Sequence, residues 1–191
     1  MPAEATIETP HLRITPFTEA HLTERYVGWL NEPEVVRFSD QRHRVHTPES
    51  CRAYLASFAG SPHFFWAVEE RPSGLHIGNL NAYVEAAHSV ADVGIVIGER
   101  SVRGRGRGFE AWMGVCDYLL RERRIRKVTA GALAVNEPML RIMRRAGMVE
   151  DGIRKRHHLW EGREVDVIHA ALFRDQWIER FPRGPFADAT P

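Results

Sequence analysis

Cysteine is scarce in this chain. Cys51 and Cys116 are its only two among 191 residues. Two thiols cannot build a disulfide framework, and no Cys-x-x-Cys pair offers a zinc site, so no metal is expected. Long apolar runs are also missing, and no stretch approaches the ~18 residues that a membrane span needs. Residues 1–10 are polar and proline-containing, without the apolar segment of a secretory signal. There is no surplus of either charge: 26 basic against 25 acidic residues give a net +1, which argues against a bulk electrostatic nucleic-acid binder. These absences leave a soluble, cytoplasmic protein that uses neither membrane nor nucleic acid, as a monomer or homodimer. The length suits one domain, and 43% hydrophobic residues can fill its core.

Periodicity orders the chain. Leu12, Ile14 and Pro16 alternate with Arg13 and Thr15, a first strand within 11–17. Thr18 can cap a helix carrying Leu22, Tyr26, Trp29 and Leu30 on one face. Thr47-Pro48 opens a second helix, with Cys51, Tyr54, Leu55 and Phe58 as its stripe. Strands follow over 64–69, 75–84 and 90–97, joined by short turns, so an antiparallel meander is the economical topology. A helix from about Gly108, a strand over 127–133, a helix over 137–146 capped by Gly147, and strands over 148–159 and 164–172 complete the order. This predicts an α/β (α+β) domain over 11–181. Its sheet is mixed and mostly antiparallel, with about seven strands and about four helices, and residues 1–10 and 182–191 are tails.

The segment richest in chemistry runs from strand to helix as Gly98-Glu-Arg-Ser-Val-Arg103-Gly104-Arg105-Gly106-Arg107-Gly108-Phe109. Glycines let backbone N–H groups converge and let an anion approach closely. The helix that follows adds unpaired N–H groups and the positive end of its dipole. Arg103, Arg105 and Arg107 add charge, and together the segment reads as a diphosphate cradle. A Walker loop is excluded, because no Gly-Lys-Ser/Thr follows. Gly106-x-Gly108-x-x-Ala111 matches a dinucleotide fingerprint, but its loop is long and position 128 is Val rather than acidic. An Arg-Gly nucleic-acid segment and a merely solvated turn compete with the cradle as well.

Arg103-x-x-Gly106-x-Gly108 resembles the acetyl-CoA motif of the GNAT N-acetyltransferases, Gln/Arg-x-x-Gly-x-Gly/Ala. Ala91-Asp-Val-Gly94-Ile-Val-Ile-Gly98 is similar to the family's fourth strand. Val128 to Asn136, continuing to Arg145-Ala-Gly147-Met148, is similar to its fifth strand and next helix. Trp29-Leu-Asn-Glu-Pro-Glu-Val35, His76-Ile-Gly-Asn79 and Asp166 to Trp177 resemble the RimJ/RimL-like branch, related to ribosomal-protein alanine acetyltransferases. The resemblance covers roughly Leu12 to Trp177. It implies a sheet splayed between fourth and fifth strands, with acetyl-CoA lying in the gap. Gly94, Ile95, Val96 and Ile97 would pair with the pantetheine arm, residues 103–109 including Phe109 would hold the diphosphate, and Asn136, Met139 and Met143 would flank the arm.

The reaction so implied is direct attack of a primary amine on the thioester in a ternary complex. Freeing an α-amine at pH 7 costs about 1 kcal/mol, against about 4.6 for a lysine, so an α-amine needs little help from a base. Asp92, two residues before Gly94 and on the same face of its strand, is the candidate base. The family's usual tyrosine acid, seven positions after the asparagine, is here Met143. Tyr83 is a substitute. Trp29, Asn31, Arg42 and His157 are expected around the acceptor, a small amine-bearing metabolite such as an amino sugar. A protein N-terminal α-amine is the second candidate acceptor, and a non-catalytic acyl-CoA-binding module is the competing reading from another class.

Overall fold

A computed structural model describes residues 6–187; the rest of the expected tails, 1–5 and 188–191, lies outside the described residues. The strands are β1 Ile7–Glu8, β2 Leu12–Pro16, β3 Phe64–Glu70, β4 Leu75–Glu85, β5 Val90–Ile97, β6 Lys127–Leu133, β7 Val149–Trp160 and β8 Arg163–Phe173. They form one mixed sheet in the order β1-β2-β3-β4-β5-β6-β8-β7. β1 to β5 are an antiparallel meander. Only the contact of β5 with β6 is parallel, and β8 returns between β6 and β7. The helices are α1 Glu24–Asn31, α2 Pro33–Val36, α3 Pro48–Ala56, α4 Arg107–Asp117, α5 Glu137–Ala146 and α6 Arg174–Arg180.

β3 explains how one sheet serves two cores. Its residues 64–68 are all buried, and alternation sends them to opposite faces. Phe64, Trp66 and Val68 join Trp112, Leu119, Met143 and Trp177 under α4, α5 and α6. Phe65 and Ala67 join Phe17, Tyr26 and Trp29 under α1 and α3. Trp66 and Trp112 are fully buried, and truncating such an aromatic typically costs about 3–5 kcal/mol.

The sheet holds eight strands rather than about seven, and the helices number six among the described residues. The extra strand, β1, falls within the stretch read as a tail. Two residues are too short to show a period. Ile7 and Glu8 pair with β2, and Thr9 behind them is buried, its hydroxyl donating to Glu110 at 2.7 Å. α2 and α6 are short helices with equally little pattern. The first helix also starts later than expected. Thr18 opens a single 3-10 turn, and Thr23 caps α1 by accepting from the Tyr26 amide at 3.2 Å.

Candidate active site

The gap in the sheet follows directly from its register. β5 and β6 pair only at Val90–Lys127, Ala91–Val128 and Asp92–Thr129. Beyond that, β5 stays bonded to β4 up to Ile97, and β6 stays bonded to β8 up to Leu133. The two inner edges therefore part, each presenting main-chain groups that need partners. An extended, amide-bearing arm supplies such partners, so Gly94 to Ile97 fit a pantetheine chain.

The glycine loop stands at the mouth of this gap. A Cβ on Gly108 would lie 3.4 Å from Ile97 of β5 and 3.7 Å from Ile142 of α5. Gly104 and Gly106 have φ of +76° and +78°, a conformation that other residues adopt at a cost. Ser101 donates its amide to Glu99, and buried Val102 anchors the turn before them. α1, α3 and α5 are each capped by a side chain, whereas α4 begins at Gly106 with none. Among the described residues, the amides of Gly104, Gly106, Arg107, Gly108 and Phe109 have no hydrogen-bond acceptor. Arg103 and Arg105 are exposed and make no ion pair among the described residues. This donor set fits a diphosphate. Arg107 differs from expectation. Its guanidinium turns inward to Glu70 at 3.0 Å and Glu110 at 3.4 Å, so only its amide faces the cradle. The Phe109 ring lies under Arg145, 4.0 Å from its guanidinium carbon.

Asn136 caps α5 by accepting from the Met139 amide at 3.2 Å, which leaves its Nδ2 for the cleft. Met139 is half-buried beside the core. Met143 is only 3% exposed and packs with Leu140 and Ala146 on the inner stripe of α5. It is core, not cleft wall, so no acid stands at the family's tyrosine position. Gly94 is glycine for a packing reason. A Cβ there would sit 2.7 Å from Asn81 Oδ1, so the glycine makes room for the amide of its cross-strand neighbour.

At the apex, where β5 and β6 separate, Thr129 donates its hydroxyl to Asp92 Oδ2 at 2.8 Å. Burial raises the Asp92 pKa above the ordinary carboxylate value, while the Thr129 bond and the charge of His169 hold it down. His169 pairs with Gly131 across β6 and β8. Its ring takes the space of the missing side chain, since a Cβ on Gly131 would lie 3.2 Å from Cε1. Tyr83 stands opposite Asp92 on β4, is 42% exposed, and its hydroxyl lies 2.9 Å from that of Tyr54.

Acceptor-side expectations divide. Trp29 is core: it is 5% exposed, and a Cβ on Gly98 would come within 2.0 Å of its ring. Asn31 lines the larger of two cavities and is also a clamp, donating to the Val27 and His46 carbonyls and accepting from the His46 amide. Arg42 donates to the Ser39 carbonyl at 2.8 Å and to the Leu159 carbonyl at 3.1 Å, tying the loop after α2 to the tip of the β7–β8 hairpin. Trp160 completes that bridge. Its indole donates to the Arg37 carbonyl at 3.1 Å, and its ring stacks on Phe38 at 5.8 Å. A cavity of about 440 Å³ lined by Arg37, Arg42, Arg44 and Trp160 lies at the bridge. A second, of about 230 Å³, is lined by Phe38, Asp40, Gly131, Asn136 and His158. His157 is exposed and lines neither, so His158 takes the place expected for it.

Sequence reasoning missed Thr129 and His169 as candidate site residues. Their places depend on strand register, although His169 does fall in the Asp166 to Trp177 motif.

Residues 11–149 match the family model described as an acetyltransferase (GNAT) domain. No curated protein matches the chain. Solved structures do. Ribosomal-protein-S5-alanine acetyltransferase from Vibrio fischeri superposes with a TM-score of 0.78 at 17% identity, over 91% of this chain and 99% of that one. The ribosomal L7/L12 α-N-protein acetyltransferase RimL, in complex with coenzyme A, gives 0.78 at 17% identity over 88% and 98%. A spermidine N-acetyltransferase chimera from Vibrio cholerae and its human counterpart gives 0.79 at 16% identity over 89% and 99%. At these identities the likeness is one of fold.

Proposed function

Because this chain belongs to the GNAT acetyltransferase family, as its match over residues 11–149 establishes, we propose that it moves an acetyl group from acetyl-CoA to the primary amine of a small polar metabolite, such as an amino sugar. The observation that carries the cofactor is the parting of β5 from β6 after Asp92 and Thr129, with the uncapped start of α4 at its mouth. Acetyl-CoA supplies an activated acetyl thioester. The amides of Gly104 and of residues 106–109 would hold its diphosphate, with Arg103 and Arg105 adding charge. The β5 edge from Gly94 to Ile97 pairs with the pantetheine arm, and Asn136 Nδ2 donates to it. Asp92 takes the proton that must leave the amine before attack.

The acceptor reading rests on the bridge and its polarity. The contacts of Trp160 with Arg37 and of Arg42 with Leu159 roof the site, which suits a compact acceptor better than a long peptide. Three arginines line the larger cavity, against Glu34 and Glu161, which disfavours a polycation. Asn79 Oδ1, on the cleft face of β4, and His158 Nδ1, beside the smaller cavity, are both buried with no hydrogen-bond partner, a demand that hydroxyl groups would meet. A protein N-terminal α-amine is the second reading, favoured by the two ribosomal-protein acetyltransferases among the similar structures.

The test is incubation with acetyl-CoA and a panel of amino sugars, free and nucleotide-linked, together with polyamines and peptides with free N-termini. Release of free thiol is followed. Turnover with an amino sugar is expected. Turnover confined to peptides would select the second reading. Slow hydrolysis alone, beside tight coenzyme binding, would mean a non-catalytic binding module.

A further inference from the structure

We infer that His169 is a second proton-handling residue at the apex, acting with Asp92: its Nε2 takes up the proton that Asp92 draws from the acceptor nitrogen. The inference rests on the acetyl-transfer reading and adds a residue to it.

Several observations place His169 there. Its register partner Gly131 lies two residues along β6 from Thr129, so the two share a face. Thr129 in turn bonds Asp92 on that face. Asp92 and Thr129 thus meet where β5 and β6 separate, and His169 lies on the same face of the sheet, one strand beyond Thr129 and two residues further along β6. Gly131 has no Cβ, and the imidazole lies over it, 3.2–3.3 Å from where that atom would be. The absent side chain of Gly131 lets the ring lie against β6 on that face.

Its Nε2 is buried and has no hydrogen-bond partner. The other orphaned ring nitrogens differ. Those of Trp66 and Trp112 belong to indoles in the apolar core, that of His76 sits in a pile of aromatic rings, that of His158 lies beside the smaller cavity, and that of His46 lies on the residue clamped by Asn31. Asp92 accepts from Thr129 through Oδ2, and Oδ1 has no hydrogen-bond partner among the described residues. The charge of His169 is felt at Asp92, so the two groups are coupled. The charged groups on this face of the neighbouring strands are Asp92 and Glu85, Lys127 paired with Asp151, Arg154 opposite Val167, and, at the far end, Asp40 with His158.

The proton bookkeeping closes. An N–H bond of the ammonium breaks, and its electron pair stays on nitrogen for the attack. The proton passes to Asp92 and then, through a bridging water because no hydrogen bond joins the two side chains, to Nε2, which requires the neutral ring to carry its hydrogen on Nδ1. The imidazolium later gives the proton up to solvent. Histidine suits this step because its unperturbed titration falls near neutral pH.

The test uses the full chain with His169→Gln, Asp92→Asn and the double variant. Coenzyme A affinity, by calorimetry, reports that each is folded. His169→Asn replaces His169→Gln if the latter fails to bind coenzyme. In the free protein, the Asp92 carboxyl is titrated by carbon-13 NMR. Loss of His169 is expected to move that titration upward, because a positive neighbour has gone. In turnover, His169→Gln is expected to lower kcat roughly 100-fold and to remove one ionisation from the pH profile of kcat. The double variant should be no more than about threefold slower than the slower single variant, since both residues handle one proton. An unmoved Asp92 titration together with an unchanged kcat profile would overturn the inference, as would losses that multiply independently. If no amine is acetylated by the unaltered protein, the acetyl-transfer reading fails instead. The NMR titration still decides whether the two residues are coupled.

Discussion

Asp92 is one carboxylate among many, and its surroundings set it apart. Partial burial destabilises its charged form, and the Thr129 hydroxyl restores some of that loss. Its pKa is raised, so the carboxylate able to take a proton grows in as pH climbs through a midpoint above the ordinary value for aspartate. Asp92→Asn should therefore remove an acid-side rise from the pH dependence of kcat/KM and cut the plateau by roughly 100-fold. An unaltered rise would exclude Asp92 as the base. His76 makes a stability prediction instead. It is buried against Phe17, Tyr26 and Trp29, donating its Nε2–H to the Gly78 carbonyl at 2.9 Å, and burial depresses its pKa from 6.5 to about 4. The unfolded chain takes a proton between those values while the folded one resists it. The contribution is thus whole above pH 6.5 and is lost as pH falls toward 4, on the order of 3 kcal/mol in all. Thermal melts of His76→Gln should show a flatter slope across that window than the unaltered protein; equal slopes would remove His76 as the cause. At this scale the sequence was legible where spacing decides. Asp92 could be placed on one face with Gly94, because alternation is local. Its partner Thr129 could not, because that pairing joins strands 37 residues apart.

Among the elements, the loop into α4 is the most exposed to test. Gly106→Glu forces a side chain into φ +78° and sets a carboxylate at the anion cradle. Together these should cost about 2–3 kcal/mol, some hundredfold in Kd for coenzyme A by calorimetry. Gly106→Ala keeps only the backbone penalty and should lose less. Unchanged affinity in Gly106→Glu would remove the loop from the site. The hairpin tip gives a contrasting result. Trp160→Ala deletes the indole bond to Arg37 and the stack on Phe38, so the acceptor KM should rise several-fold while coenzyme affinity stays constant. Elements with strong periods were read almost to the residue: β5, β6 and α5 span 90–97, 127–133 and 137–146 as expected. β1 and α6 were not, because so few residues carry no period, and what holds β1 is a distant carboxylate, Glu110, reaching Thr9. The same Glu110 and Glu70 claim Arg107, which an Arg-Gly pattern could not reveal.

For the whole molecule, the expected order of strands gave the mixed sheet, but β8 returns between β6 and β7, and the tip of this final hairpin lines the larger cavity. Saturating coenzyme A, at 100 times Kd, should add about 2.7 kcal/mol of stability, which is roughly 5–10 °C in Tm for a domain of this size. A thermal shift assay checks this, and no shift would contradict a site within the fold. The three residue pairs that join β5 to β6 have a mechanical consequence. The strands before and after that seam share little main-chain pairing, so motion across it is expected to be greater without ligand. Amide deuterium uptake at 93–97 and 130–133 should then be fast in the free protein. Coenzyme should slow it on the β5 side first, so that the ligand acts as a stitch between edges the polypeptide itself leaves nearly unsewn.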